Sequence, residues 1–175
     1  MIAHEFVSTS LESIDGLQAQ LAVFPFFADE RPLRGAAGLV DWRLGGALSH
    51  KLMAGYLDGA FGEKGMLASP PKLRVDAVLL FGLGPSHALD DTGVAEACAL
   101  IAKAIGEARA STVALGLPGR SIEKLPALRA MELWLAAESH CGSVEEVTIV
   151  EDSQEHRALV SLVDSLRRQA ESPLD

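Results

Sequence analysis

The segment Val75–Leu83 reads Val-Asp-Ala-Val-Leu-Leu-Phe-Gly-Leu. It is the feature that most narrows what this chain can fold into. Its apolar residues run on without a break instead of alternating, so the segment predicts a strand buried on both faces. A strand covered on both faces needs helices above and below it, and the remaining sequence supplies them. A helix is predicted from Asp90-Asp91 to about Arg109, with Val94, Ala97/Cys98, Ile101, Ile105 and Ala108 recurring on one face. The acids at its start suit the positive end of the helix dipole. Thr112–Leu117 follows as a strand, then a helix from about Leu125 to Ser139, then a strand over Val144–Val150. The run Asp152-Ser-Gln-Glu155 has capping-box spacing and opens a last helix through Leu159, Leu162/Val163 and Leu166. Three successive strand–helix units imply a parallel or mostly parallel sheet with helices on both faces, Val78 and Leu80 neighbouring Val113 and Leu115 in adjacent central strands.

The first half is less regular. Strands are predicted over His4–Ser8 and Gln20–Phe27, with Pro25 placing the second near an edge or at its end. Arg34–Leu57 reads as one long helix whose Gly38, Gly45 and Gly46 suggest close packing on a flat surface. Gly55–Gly65 reads as a loop and Met66–Ser69 as a short strand stopped by Pro70-Pro71. These early elements are expected to add mixed or antiparallel edges. At 175 residues the chain is expected to form a single domain with a core large enough to need no metal or disulfide.

Charge and composition exclude several functions. The net charge is −9; residues 1–87 carry 7 basic and 9 acidic residues, residues 88–175 carry 8 and 15. The longest basic run is Arg167-Arg168. Nucleic-acid binding rests on phosphate neutralisation by a basic surface, so it is not expected here. No apolar run approaches the ~20 residues of a membrane span, and Met1–Thr9, with Glu5, lacks a signal-peptide core. Cys98 and Cys141 stand outside any Cys-x-x-Cys motif. A reducing, cytoplasmic setting is the expectation.

Three stretches carry a family resemblance: Pro32-Leu-Arg-Gly-Ala-Ala-Gly-Leu-Val-Asp-Trp-Arg-Leu-Gly-Gly-Ala-Leu-Ser49, the loop Gly59-Ala-Phe-Gly-Glu-Lys-Gly65, and Val78-Leu-Leu-Phe-Gly-Leu-Gly84. In order and spacing they resemble the N-terminal domain of the leucyl (cytosol) aminopeptidases, and Thr112-Val-Ala-Leu-Gly-Leu-Pro118 fits the same scheme. The resemblance covers roughly the whole chain, most firmly residues 30–120. It implies a macro-domain-like three-layer α/β sandwich. In that family peptide hydrolysis belongs to a second, C-terminal domain with a two-metal site and an Asn-Thr-Asp-Ala-Glu-Gly-Arg signature. That signature does not occur in these 175 residues. The resemblance therefore implies a stand-alone, non-catalytic domain with an assembly or regulatory role, self-associating or serving a separate peptidase chain.

The residues themselves supply no catalytic set. The acidic pairs Asp29-Glu30, Asp90-Asp91, Glu145-Glu146 and Glu151-Asp152 lack a histidine at metal-ligand spacing, so structural or solvated roles are expected. Gly84-Pro-Ser86-His87 is not a nucleophile elbow. No metal and no cofactor are expected. What remains are two glycine-rich strand exits, Gly82-Leu-Gly84-Pro85 and Gly116-Leu-Pro-Gly119-Arg120. Their N–H groups could cradle a phosphate, or their glycines could serve tight turns alone. If a ligand binds, Gly82, Gly84, Gly116 and Gly119 would line it. Arg120 or Arg34 would add charge, with His87 and Asp29 at the rim. Macro domains bind ADP-ribose with such loops, which makes ADP-ribose or a related phosphorylated molecule the alternative to the assembly role. The exit Phe27-Ala-Asp29-Glu-Arg31-Pro lacks the asparagine that ADP-ribose-binding macro domains place there.

Overall fold

A computed structural model describes residues 1–68 and 70–171. The strands are β1 (Ala3–Val7), β2 (Gln18–Phe26), β3 (Lys64–Ala68), β4 (Arg74–Gly82), β5 (Thr112–Leu115) and β6 (Glu146–Val150). The helices are α1 (Leu11–Gly16), α2 (Gly35–Arg43), α3 (Ala47–Met53), α4 (Asp91–Ala108), α5 (Ala127–Ala137) and α6 (His156–Glu171). The six strands form one sheet in the order β1-β6-β5-β2-β4-β3, parallel except for β3, which runs antiparallel to β4. The mostly parallel sheet between helix layers is as expected, and β3 is its antiparallel edge.

The continuous apolar run of β4 has the predicted cause. Val78 and Leu80 face one apolar cluster with α1, α2 and α3. Leu79 and Phe81 face the other, with α4, α5 and α6. All four are at most 4% exposed. Burying such a side chain contributes about 1.5–3 kcal/mol, so the apolar inventory of this strand alone commits it to the middle of the sandwich. One expectation is corrected: Val78 and Val113 do not lie in adjacent strands, because β2 runs between β4 and β5. Ala22 pairs with Val78 on one side and Ala114 on the other. Pro25 is compatible with this central position. The Gly116 N–H donates to the Val23 carbonyl at the end of the β5 ladder, so the missing N–H of Pro25 faces a side where pairing has already stopped.

The long helix expected over Arg34–Leu57 is two helices. Gly45 and Gly46 take φ of +66° and +81°, a left-handed turn that no helix interior contains. Asp41, 7% exposed, then closes the break. Its Oδ1 accepts from the N–H groups of Leu48 (2.8 Å) and Ser49 (3.1 Å), and its Oδ2 accepts from the Ser49 hydroxyl. The carboxylate thus satisfies orphan donors at the start of α3. α1, capped by the Ser10 hydroxyl, was not legible as a helix; the Arg43–Asp15 pair ties it to α2. The Asp90 side chain accepts from Gly93 N–H, as the acidic start of α4 predicts. The Asp152–Glu155 capping box is not formed: Asp152 accepts from Gln154 N–H in a tight turn, and α6 starts at His156. β3 begins two residues before its predicted start, and the predicted end, Ser69, lies outside the described residues. No described helix is long and apolar enough to cross a membrane.

Candidate functional site

Because β2, β4, β5 and β6 are parallel, their carboxyl ends open on one edge, where ligands of such sheets bind. The exits after Phe26, Gly82, Leu115 and Val150 meet there, so the fold gathers the predicted segments around Phe27–Arg34, Gly82–Ser86 and Gly116–Arg120. What it does with their polar groups differs from an open anion cradle.

The backbone of the first glycine turn is already paired. Gly82 N–H donates to the Glu63 carbonyl (2.8 Å) and Gly84 N–H to the Gly59 carbonyl (2.8 Å). The loop 59–63 passes so close that a Cβ on Gly82 would lie 2.1 Å from the Ala60 carbonyl oxygen. Glycine is required there for protein–protein contact within the chain. In the second turn the Gly116 N–H completes the β2–β5 ladder, and Gly119 adopts φ +82° against Leu125.

Arg120 is also engaged. Its Nε and Nη2 donate to the two oxygens of Glu151 at 2.8 and 3.0 Å, and its Nη1 donates to the Leu125 carbonyl at 2.8 Å. The two side chains are 11% and 7% exposed. The paired carboxylate raises the guanidinium's pKa. This fork holds the β5 exit to the β6 exit.

Glu30 is the organising residue that the sequence did not single out. It is 4% exposed. Its Oε2 accepts from Phe27 N–H (3.1 Å) and the Ser121 hydroxyl (2.8 Å), and its Oε1 from Arg34 N–H (2.8 Å). One carboxylate therefore folds the loop after β2 onto itself and pins it to the loop after β5. Beside it, Asp29 Oδ1 accepts from Ser86 N–H (2.8 Å) and Oδ2 from the Ser86 hydroxyl (2.6 Å). These bonds, hydroxyl first, hold the exposed Asp29 carboxyl below its ordinary pKa. His87 is exposed next to this bond, and Arg34 is exposed with its backbone on Glu30.

Between the ends of β2, β5 and β6 a cavity of about 40 Å³ remains, lined by residues including Arg34, Gly116, Arg120 and Ser121. That is room for a few water molecules at most. A second, shallow cavity of about 200 Å³ lies outside the clamp, lined by Phe27, Asp29, Glu30, Arg31, Arg34, Ser86 and Ile122. Of the predicted site residues, Asp29 and Arg34 line this cavity. Gly82, Gly84, Gly116 and Arg120 make contacts within the protein. Among the described residues no three His, Cys, Asp or Glu side chains are grouped to hold a metal ion.

This architecture is that of the macrodomains. The chain superposes on an Oceanobacillus iheyensis macrodomain mutant with a TM-score of 0.70 at 13% identity, covering 89% of each chain. A Trypanosoma brucei macrodomain solved in complex with ADP-ribose gives 0.68 at 14% identity, over 89% of this chain and 66% of that one. The N-terminal-domain model of the cytosol aminopeptidase family matches residues 22–140, and the chain belongs to that family. Tomato leucine aminopeptidase (a K354E mutant) aligns over 93% of this chain with a TM-score of 0.59 and 17% identity; the match spans 35% of that enzyme. No curated protein matches the sequence.

Proposed function

We propose that this chain acts as a non-catalytic assembly or regulatory domain, not as a binder of nucleotides. The observation that carries this reading is that four of the strand-end groups suited to an anion already have partners in the protein. The amides of Gly82, Gly84 and Gly116 and the fork of Arg120 donate to protein acceptors. A ligand phosphate would have to displace these bonds, each replaced at a loss. Calorimetric titration with ADP-ribose tests the reading. No heat of binding at millimolar ligand is expected, and saturable micromolar binding would overturn it.

A second reading, a macro-type site for ADP-ribose or a related phosphorylated molecule, draws on the cavity outside the Glu30 clamp. Exposed Arg31 and Arg34 flank it, and the T. brucei relative was solved with ADP-ribose. If it holds, Arg34→Ala weakens the binding seen in the same titration.

A further inference from the structure

β3 is the outermost strand on its side of the sheet, and nothing in the described chain pairs with its outer edge. Sheet edges in proteins are usually protected by charge, proline, a bulge or a covering element. Within Lys64-Gly-Met-Leu-Ala68 only Lys64 is charged. The Gly82 N–H donates to the Glu63 carbonyl and the ladder alternates, so Gly65 and Leu67 turn their backbone groups toward β4. Lys64, Met66 and Ala68 turn theirs outward.

The apolar surface beside this edge lies on both faces of the sheet. On the α3 face, exposed Tyr56 borders a groove of about 160 Å³ floored by Leu48, Leu57, Val78 and Leu80. On the α4 face, Met66 stands beside Leu79, Phe61 packs edge-on against Phe81, and Leu100 reaches Gly62. Tyr56, Phe61, Met66 and Leu100 are 75%, 39%, 59% and 37% exposed. At the 150–250 Å² of a large side chain, these four expose about 400 Å², half of the ~800 Å² per partner in a standard interface. The outward backbone groups of Lys64, Met66 and Ala68 add to this.

We propose that this edge is the contact between two copies of the chain, joined β3 to β3 in antiparallel fashion to extend the sheet across a two-fold axis. It rests on the assembly reading above and names its surface. A lone peptide strand would pair with the backbone but leave one or both apolar flanks uncovered. A helix–sheet–helix sandwich of the same thickness with its own free edge covers both flanks, and a second copy is such a body. The strand is also compatible with itself. Pairing centred on Met66 uses all five residues and sets Lys64 across from Ala68, so no like charges face each other on the strand.

Sedimentation equilibrium of the full chain tests this, with no ligand present. The wild type is expected at twice its 18.5 kDa chain mass. Met66→Asp and, on the other face, Tyr56→Asp are expected at the single-chain mass with unchanged circular dichroism and a thermal midpoint that no longer depends on protein concentration. Met66→Cys is expected to be joined into a covalent dimer by a short bismaleimide. The facing Cα atoms of this hydrogen-bonded pair are about 5.5 Å apart with both side chains on one face, within such a cross-linker's reach. The native cysteines are buried and give no background. A wild type that stays monomeric overturns the proposal, as does a dimer indifferent to Met66→Asp and Tyr56→Asp, or one in which Met66→Cys fails to cross-link. Each of these outcomes leaves the ADP-ribose titration, and with it the non-catalytic reading, to stand or fall separately.

Discussion

Replacing Glu30 by alanine removes the acceptor for three donors at once, and the structure fixes what each loses. Phe27 N–H is buried and bonded to Oε2, so it is left without a partner. Arg34 N–H and the Ser121 hydroxyl are partly exposed and regain water. An orphaned buried donor costs about 1–3 kcal/mol, and each bond exchanged for water about 0.5–1.5. The expected destabilisation is therefore about 2–6 kcal/mol. With a urea slope of about 2 kcal/mol/M for a protein of modest size, the unfolding midpoint should fall by roughly 1–3 M. Glu30→Gln keeps one acceptor oxygen, which can serve Phe27 and Ser121, and should lose about half as much. Arg34→Ala keeps the N–H that Glu30 uses and should stay within about 0.5 kcal/mol of wild type. Equilibrium urea unfolding followed by circular dichroism reads all three. A Glu30→Ala midpoint within the error of wild type would refute the clamp as the organiser of this edge.

Breaking the Arg120–Glu151 fork with Arg120→Ala strands a nearly buried carboxylate and should destabilise by about 3 kcal/mol in the same assay. Val78→Asp buries an unpaired charge at a 0% exposed position and should cost several kcal/mol, read as loss of the thermal transition. Burial pushes the thiols of Cys98 and Cys141 up to about 12, so both should resist a thiol reagent near pH 8 in the native state and react on unfolding. Ser86 lowers the Asp29 pKa below 3.8, so its contribution is present above that value and is lost as pH falls through the lowered one. The stability difference between wild type and Asp29→Asn should accordingly shrink at the acid end of a pH series.

The fold was legible where a local pattern has one physical explanation. A run such as Val78–Phe81 can be satisfied only between two helix layers, and Asp90 before an apolar 3.6-residue period can start a helix. Legibility failed where a polar residue answers to a distant partner. Asp41 sits in a helical period and looks like a surface acid, yet it turns inward to cap the next helix. Glu30 looks like half of a solvated acidic pair, but its partner Ser121 lies 91 residues away. Arg120 follows a glycine turn as a phosphate ligand would, and Glu151, 31 residues on, takes it. The first strand exit leaves a phosphate cradle and a tight turn open on the residues alone, and Gly82 is a point of close approach. What approaches Gly82 is the chain's own loop 59–63, which no spacing in the sequence discloses.

The central claim is that the strand-end edge is closed by the protein's own bonds. Backbone amide NMR during addition of ADP-ribose to millimolar concentration tests it residue by residue. The account predicts unchanged shifts for Gly82, Gly84, Gly116 and Phe27, whose N–H groups already have acceptors. Saturable shifts of these four amides, with release of the Ser121–Glu30 contact, would contradict it.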